Sequence, residues 1–364
     1  MTLAALLFAL PAALHVGSAA LCLIRLARPE RLPAERPFVT LLRPVCGLDP
    51  FDAETLGSSF ALDYPGFEVL FCAARADDPA VPVVQGLIAR HPQVNARLLI
   101  GDDRPTTNPK LNNLAKGWDA AQGDLVVMTD ANLLLPPDYL DRLLAELQAD
   151  TGLVSSPPAG IRPEGLWGAV EAAFLNGFQA RWQLAADTLG LGFAQGKTLM
   201  WRRAVLDKAG GLPALGHDLA EDVAATKTVR AQGLKVRLAR RPFGQPIGRR
   251  SLRAVWDRQL RWSRVRRDGF AGLFVLEILL GPWAPALGLT LLGGAAWLPL
   301  FALLWYGTEW AMTRAFGWPS RPLDLLAAVL RDLCLPVLWV ATWARRGISW
   351  RGNAMEPQRE PAGA

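Results

Sequence analysis

An α/β fold with a mainly parallel sheet, flanked by membrane-type helices at both ends of the chain, is the class this sequence predicts, on three observations. Seven short apolar or β-branched runs lie between residues 36 and 250: FVTLLRPV, FEVLFCAA, VNARLLIG, DLVVMTDA, TGLVSSPP, GKTLMWRR and VRLARRP. Amphipathic stretches such as residues 80–90 and 137–148 separate several of them, an alternation that implies right-handed crossovers and helices on both faces of a sheet. Long apolar runs flank this region, and 51% of the 364 residues are hydrophobic, too many for an ordinary soluble enzyme.

Residues 2–24 form one apolar run interrupted only by Pro11, His15, Gly17 and Ser18, and at 1.5 Å per residue it crosses the roughly 30 Å of a bilayer core. No basic stretch precedes it, whereas Arg25, Arg28, Arg31 and Arg36 follow, which argues against a cleaved signal and places the chain after residues 1–25 in the cytoplasm. Residues 36–250 are then a cytosolic α/β domain. Residues 251–270 read as a basic interfacial helix, with eight arginines from Arg249 to Arg267 among Leu252, Val255, Trp256, Leu260 and Trp262. Residues 271–345 hold three more apolar stretches, 272–292, 295–312 and 323–343. Pro282 and Pro285 predict a kink or a re-entrant segment in the first, and Gly293-Gly294 suits a tight turn after it. Residues 346–364 are a tail, disordered from Gly352; Arg345, Arg346 and Arg351 argue for the cytoplasm, while three full crossings would place it outside.

Four cysteines, with Cys22 and Cys334 inside apolar runs, make no disulfide framework, and no cysteine/histidine spacing suits zinc. Cys46 and Cys72 read as buried, reduced thiols. The net charge of +6 sits beside apolar segments, which fits an anionic lipid surface and excludes nucleic acid as partner. The Ala, Arg, Gly and Pro bias resembles a bacterial coding style, which makes this a multi-pass protein of the inner membrane.

Polar islands carry the chemistry. Asp130 closes the run DLVVMT, and Asn132 two residues on shares its direction if the chain stays extended. A carboxylate and an amide oxygen beside a diphosphate suit Mg²⁺ or Mn²⁺, while capping of the following helix explains Asp130 equally well. Asp77-Asp78-Pro79 ends the second run, where Asp78 is either a ligand at the strand rim or a helix N-cap. Thr107-Asn108-Pro109-Lys110 opens a helix whose amino end can meet a phosphate, or is a solvated turn. Glu221-Asp222 begins another helix; two adjacent acids buried together raise one pKa, as a base at neutral pH requires, although acids in a first turn are favourable anyway. Arg258 and Arg261 lie three apart and share a helix face, aimed at a diphosphate or at anionic lipid. Trp167, Val170, Phe174, Phe178 and Trp182 make an aromatic face on a helix over residues 164–185, either core or the wall of a lipid channel. Arg331-Asp332 interrupts the last apolar stretch, so each charge needs a partner. His91 and His217 are isolated; His217 lies near enough in sequence to Glu221 to line the same pocket.

In order, RPVCGLDP, CAARADDPA, TTNPKLNNLAKG, VVMTDAN, LAEDVAATK, RQLRW and GISWRG resemble the ceramide glucosyltransferases, inverting membrane-bound enzymes with the glycosyltransferase-A fold, over about residues 38–352. The resemblance implies transfer of glucose from UDP-glucose to the primary hydroxyl of ceramide at the cytosolic face, with a divalent cation. It assigns Asp78 to the nucleotide, Asp130 to the metal with Asn132 beside it, Asp222 to the catalytic base, and Arg258, Arg261 and Trp262 to an RxxRW clamp on the leaving UDP, while Lys110, from its place at a helix start, is expected at the donor. Two positions depart from the pattern. Asn132 stands where a second acid is common, which weakens the metal site, and Cys46 stands where a basic residue is expected, which leaves the nucleotide grip there to Arg43. Bacterial relatives with the same motif order act on other lipids, so a hopanoid acceptor is the alternative. A processive polysaccharide synthase needs more spans than this chain offers, and a non-catalytic lipid scaffold would have lost an acid station.

Overall fold

All seven apolar runs become strands of one sheet. The computed structural model describes residues 2–218 and 220–344, together with the backbone of two short strands, Ile348–Trp350 and Asn353–Met355. Arg345, Arg346 and Arg351 fall outside the described residues, as do the side chains of the GISWRG motif and of the tail from Gly352. In chain order the elements are α1 (Leu3–Ala27), β1 (Val39–Val45), α2 (Asp52–Gly57), β2 (Phe67–Ala73), α3 (Ala80–Arg90), β3 (Ala96–Ile100), α4 (Pro109–Ala120), β4 (Leu125–Thr129), α5 (Tyr139–Leu144), β5 (Thr151–Ser155), β6 (Pro158–Glu164), α6 (Gly165–Ala173), a π-helical segment (Phe174–Ala180), α7 (Arg181–Thr188), β7 (Thr198–Arg202), α8 (Arg203–Lys208), α9 (Glu221–Ala231), β8 (Lys235–Leu238), β9 (Phe243–Arg249), α10 (Leu252–Gly269), α11 (Ala271–Leu276), α12 (Trp283–Leu291), α13 (Leu298–Phe316) and α14 (Pro322–Trp343).

The chain divides into two compact units. One, built from Pro29–Pro158 and Leu189–Pro246, holds the sheet in the order β3-β2-β1-β4-β7-β5-β8. β3, β2, β1 and β4 pair in parallel, β7 runs antiparallel to both β4 and β5, and β5 and β8 are parallel. The sheet is therefore mainly parallel with one reversed strand. Alternate residues feed two cores, as the two-residue period of a strand requires. Val39, Leu41, Val69, Phe71 and Val127 pack against α3 and α5 on one face, and Leu42, Leu70, Val126 and Met128 against α4 and α9 on the other. Strand order reverses at β1, which lies between β2 and β4. That junction is where a sheet of this kind leaves a crevice beyond the carboxyl ends of its strands.

The other unit is helical: Met1–Arg28, Ala159–Thr188 and Ile247–Ser349. The stretch 159–188, placed by the sequence inside the 36–250 domain, belongs by its packing here. Residues 165–188 form one continuous helix whose middle widens into the π segment. Val170, Phe174 and Phe178 are buried as core, while Trp167 and Trp182 of the same face are half-buried. Asn176 on the π segment accepts from Gly160 N at 2.7 Å and donates to Gly160 O at 3.0 Å, taking the place of a strand partner.

Among the described residues two helices, α1 and α14, are long and apolar enough to cross a membrane, or three spans exist if the bent pair Ala271–Leu280 and Trp283–Leu291 counts as one. The bend of 57° falls at Gly281-Pro282, where a missing N–H breaks the helix. α13, which carries Glu309 and Arg314, is not among these spans. The charges within these helices find one another. Arg331 binds Glu309 through two bonds of 2.6 and 2.9 Å and Asp332 at 2.8 Å, while Arg181 lies 3.8 Å from Glu309 and 3.0 Å from His15 Nδ1. His15 Nε2 contacts Trp305 O at 2.9 Å, and its ring stacks on the Trp305 indole. Unpaired, such charges in an apolar surrounding would each cost several kcal/mol. Cys72 is buried as expected, whereas Cys46, in the loop that follows the carboxyl end of β1, is exposed.

Gly177 is what lets this ion cluster close: a Cβ there would collide with Glu309 Oε1 and come within 2.5 Å of Arg331 Nη1. Gly177→Ala should lower stability by ~3 kcal/mol through overpacking and loss of the buried pair, read as a clear drop in the melting temperature of the detergent-solubilised protein. An unchanged melting temperature would show that the cluster tolerates rearrangement.

Candidate functional site

The site is a chain of charged and amide side chains at the carboxyl rim of the sheet unit. β4 delivers Asp130 to that rim. α4 delivers Lys110, because Asn108 caps the helix, its side chain accepting from Lys110 N at 2.9 Å and Leu111 N at 3.4 Å, with Pro109 in the first helical position. α9 delivers Glu221 and Asp222 from its first turn. Lys110 Nζ then lies 2.6 Å from Asp130 Oδ1, 2.7 Å from Glu221 Oε1 and 2.7 Å from Gly196 O, so that all three donors of the ammonium are used. Asn108 adds a bond of 3.3 Å to Glu221 Oε2.

A second ammonium joins from the residue before β7. Lys197 Nζ lies 2.9 Å from Asp130 Oδ2 and 3.0 Å from Asn132 Oδ1, and Asp130 N donates to Lys197 O at 3.1 Å. Asp130 thus carries one lysine on each oxygen. Burial works against its charge, but Lys110 and Lys197 outweigh burial and hold the carboxyl well below the usual range. Lys110 shows the mirror effect: burial alone would lower it, and Asp130 with Glu221 raises it instead. Asp222 is different. Burial first, then the neighbouring Glu221 charge, push it up to about 6, against the bonds it accepts from Gly196 N at 3.0 Å and Val223 N at 2.8 Å. Gly196 serves both Lys110 and Asp222 through its backbone, and a Cβ there would stand 2.7 Å from Glu221 Oε1.

Of the residues expected from sequence, Lys110, Asp130, Asn132 and Asp222 meet in this one network. Asp78 uses its carboxylate on backbone: Gly47 N donates to both oxygens at 3.0 Å and Ala80 N to Oδ1 at 2.9 Å, tying the loop after β1 to the start of α3. It is partly exposed at the same rim, and Asp77 turns outward to pair with Arg75. Arg43 corrects the expectation of a nucleotide grip, since its side chain is fully buried. Its Nη2 donates to Thr55 O at 3.0 Å, Ala131 O at 2.9 Å and Leu133 O at 3.3 Å, so it fixes the loop that carries Asn132, and burial pulls its guanidinium down to about 10. His217 is exposed, and His91 stacks on Phe60. Glu221 and Lys197 were not assigned from sequence.

In the helical unit, Arg258 pairs with Glu171 at 2.8 Å, a carboxylate that is 1% exposed, and Trp262 packs on Ala172, Leu175 and Ile247. Arg261 is half-buried.

Asp130 and Asn132 present two hard oxygen donors to one point, the point that Lys197 Nζ fills. Among the described residues no three His, Cys, Asp or Glu side chains gather around a common metal position. The donor set fits Mg²⁺ or Mn²⁺ as a minority of its ligands, with phosphate and water supplying the rest.

The chain matches the family model described as glycosyl transferase family 21 over residues 6–362. It is 29% identical over 330 residues to ceramide glucosyltransferase 1 of Caenorhabditis elegans, covering 87% of this chain and 71% of that protein. Ceramide glucosyltransferase 3 of the same organism is 26% identical over 353 residues, covering 93% of this chain and 77% of the relative. In three dimensions the chain is similar to a mannosyltransferase from Pyrobaculum calidifontis solved with GDP-Man and Mn²⁺, with a TM-score of 0.54, 22% identity, and coverage of 91% of this chain and 99% of that one. That likeness shows the fold: a glycosyltransferase-A-like, mainly parallel α/β sheet.

Arg258→Ala would strand the Glu171 carboxylate, whose Oε2 already lacks a partner. Stability should fall by roughly 3 kcal/mol, and Glu171→Gln in the same chain should restore most of it, in a double-mutant cycle on thermal unfolding. A stability unchanged by Arg258→Ala would free this arginine from a structural role.

Proposed function

The chain belongs to glycosyl transferase family 21, and from that membership we propose that it moves glucose from UDP-glucose to the primary hydroxyl of ceramide, with inversion at the anomeric carbon. The observation that carries this reading is the convergence of Asp130, Lys110, Glu221 and Asp222 at the sheet's switch point, where Asp222 has its pKa raised, Asp130 is held charged by two lysines and Glu221 is paired with Lys110. Ceramide glucosyltransferases among the relatives support ceramide over a hopanoid as acceptor.

In this mechanism Asp222 accepts the proton of the lipid hydroxyl as that oxygen bonds to the anomeric carbon and the bond from carbon to the β-phosphate oxygen breaks, releasing UDP. Gly196 and Val223 N–H groups fix the carboxylate's direction, and its partial exposure leaves it open to the acceptor. Lys110 and Lys197 neutralise charge that grows on the leaving diphosphate. A divalent cation held by Asp130 and Asn132 would add Lewis-acid stabilisation of the same phosphates when bound. Asp78 holds the nucleoside end of the donor. The assignment of Arg258, Arg261 and Trp262 to the leaving UDP rests on the RxxRW motif alone. A multi-pass protein of the bacterial inner membrane, with this site on the cytoplasmic side, fits the apolar helices and the arginines that follow α1.

Purified protein in detergent should release UDP from UDP-glucose in the presence of ceramide and form one hexosylceramide. Asp222→Asn should keep UDP affinity and lower turnover by about 10²- to 10⁴-fold. Near-normal turnover in that variant would remove Asp222 from the role of base, and silence with every UDP-sugar and lipid would favour a scaffold. Because the base acts deprotonated, kcat/KM should rise tenfold per pH unit up to an inflection near the value of about 6 and level off above it. A flat profile from pH 5 to 8 would contradict Asp222 as the titrating group.

A further inference from the structure

From the charges around Asp130 we propose that Lys197 makes cation binding dependent on the nucleotide: the divalent ion enters together with the donor diphosphate, which draws Lys197 off Asp130 and Asn132. This rests on the reading of the site as a nucleotide-sugar site.

Two ammonium groups, Lys110 and Lys197, lie 2.6 to 2.9 Å from the carboxylates of Asp130 and Glu221, so each of these two carboxylates already has a cation against it. A bare divalent ion would enter within a few Å of two positive charges, and the two oxygens it needs are the ones that Lys197 holds at 2.9 and 3.0 Å. Both lysine side chains are only 12% exposed, so water screens this repulsion poorly. The neighbouring Asp222 spends its oxygens on Gly196 N and Val223 N, and among the described residues no three His, Cys, Asp or Glu side chains gather as a metal-binding group. A bare diphosphate meets the opposite obstacle in Asp130 and Glu221. The ion and the diphosphate together bring little net charge, and the diphosphate offers Lys197 new acceptors, so each component removes the barrier to the other. Such coupling is reciprocal by thermodynamic necessity. Asn132 then has a positive role: an amide accepts from Lys197 and ligates a cation without adding the negative charge that would let the metal bind alone.

The test is Mn²⁺ binding followed by electron paramagnetic resonance on the purified full chain, with and without UDP. In the wild type, saturating UDP should tighten Mn²⁺ at least tenfold, and Mn²⁺ should tighten UDP by the same factor in calorimetry. Lys197→Met should bind Mn²⁺ alone at least tenfold more tightly than the wild type and lose most of the coupling, while Lys197→Arg, which keeps the charge, should behave as the wild type. Equal Mn²⁺ affinity with and without UDP in the wild type, or no gain of Mn²⁺ affinity in Lys197→Met of native melting temperature, would overturn the proposal. Failure of UDP to bind under any condition would instead sink the nucleotide-sugar reading, and the comparison of Mn²⁺ binding to the wild type and Lys197→Met without UDP would still decide what the lysine does.

Discussion

One ammonium organises the sheet unit's chemistry. Lys110 reaches from the first turn of α4 to Asp130 beyond β4 and to Glu221 at the head of α9, and its third bond falls on Gly196 before β7. Four elements distant in sequence are thereby held at one rim, and the adjacent Asp222 inherits its direction from the same Gly196. Without that cation, Asp130 and Glu221 would stand as like charges in a partly desolvated crevice, and the arrangement would have to open or take up protons. The raised pKa of Asp222 has burial as its first cause and the neighbouring Glu221 as its second, which Lys110, with its bonds on Glu221 and Asp130, offsets only in part.

Much of the fold was legible because its signals are local. Each apolar run of four to eight residues was bounded by turn residues and became a strand, and the segment 80–90 became α3 with the same ends. The bend of the pair Ala271–Leu280 and Trp283–Leu291 was carried by Pro282. What stayed hidden depends on pairing. Nothing local distinguishes a parallel from an antiparallel run, so the reversal of β7 was unreadable. The short pairing of β6 with β9, two runs holding Pro and Gly, was missed for the same reason. The π segment and the packing of residues 159–188 with the helical unit arise from tertiary contacts that no periodicity encodes.

The site was legible to a similar depth. Asp130 and Asp78 each stand where an apolar run stops, so their places at the rim followed from the pattern, while Glu221-Asp222 and Asn108-Pro109-Lys110 were legible as helix starts and their arrival at the same rim was not. Lys197 did not, because it precedes a strand: in a parallel sheet it would lie at the far edge, and only the reversal of β7, with Thr198 opposite Thr129, brings it beside Asp130. Arg43 misled in the opposite sense. A basic residue at the end of β1 resembles a phosphate ligand, yet its alternation in the strand turns it into the core, where it braces the loop after Asp130.

The structure of the protein with UDP and Mn²⁺ bound tests this account most directly. The diphosphate should lie within hydrogen-bond reach of Lys110 or Lys197 beyond the carboxyl end of β4, with Asp78 at the nucleoside. A nucleotide seated elsewhere, with Lys110 still closed on Asp130 and Glu221, would contradict it.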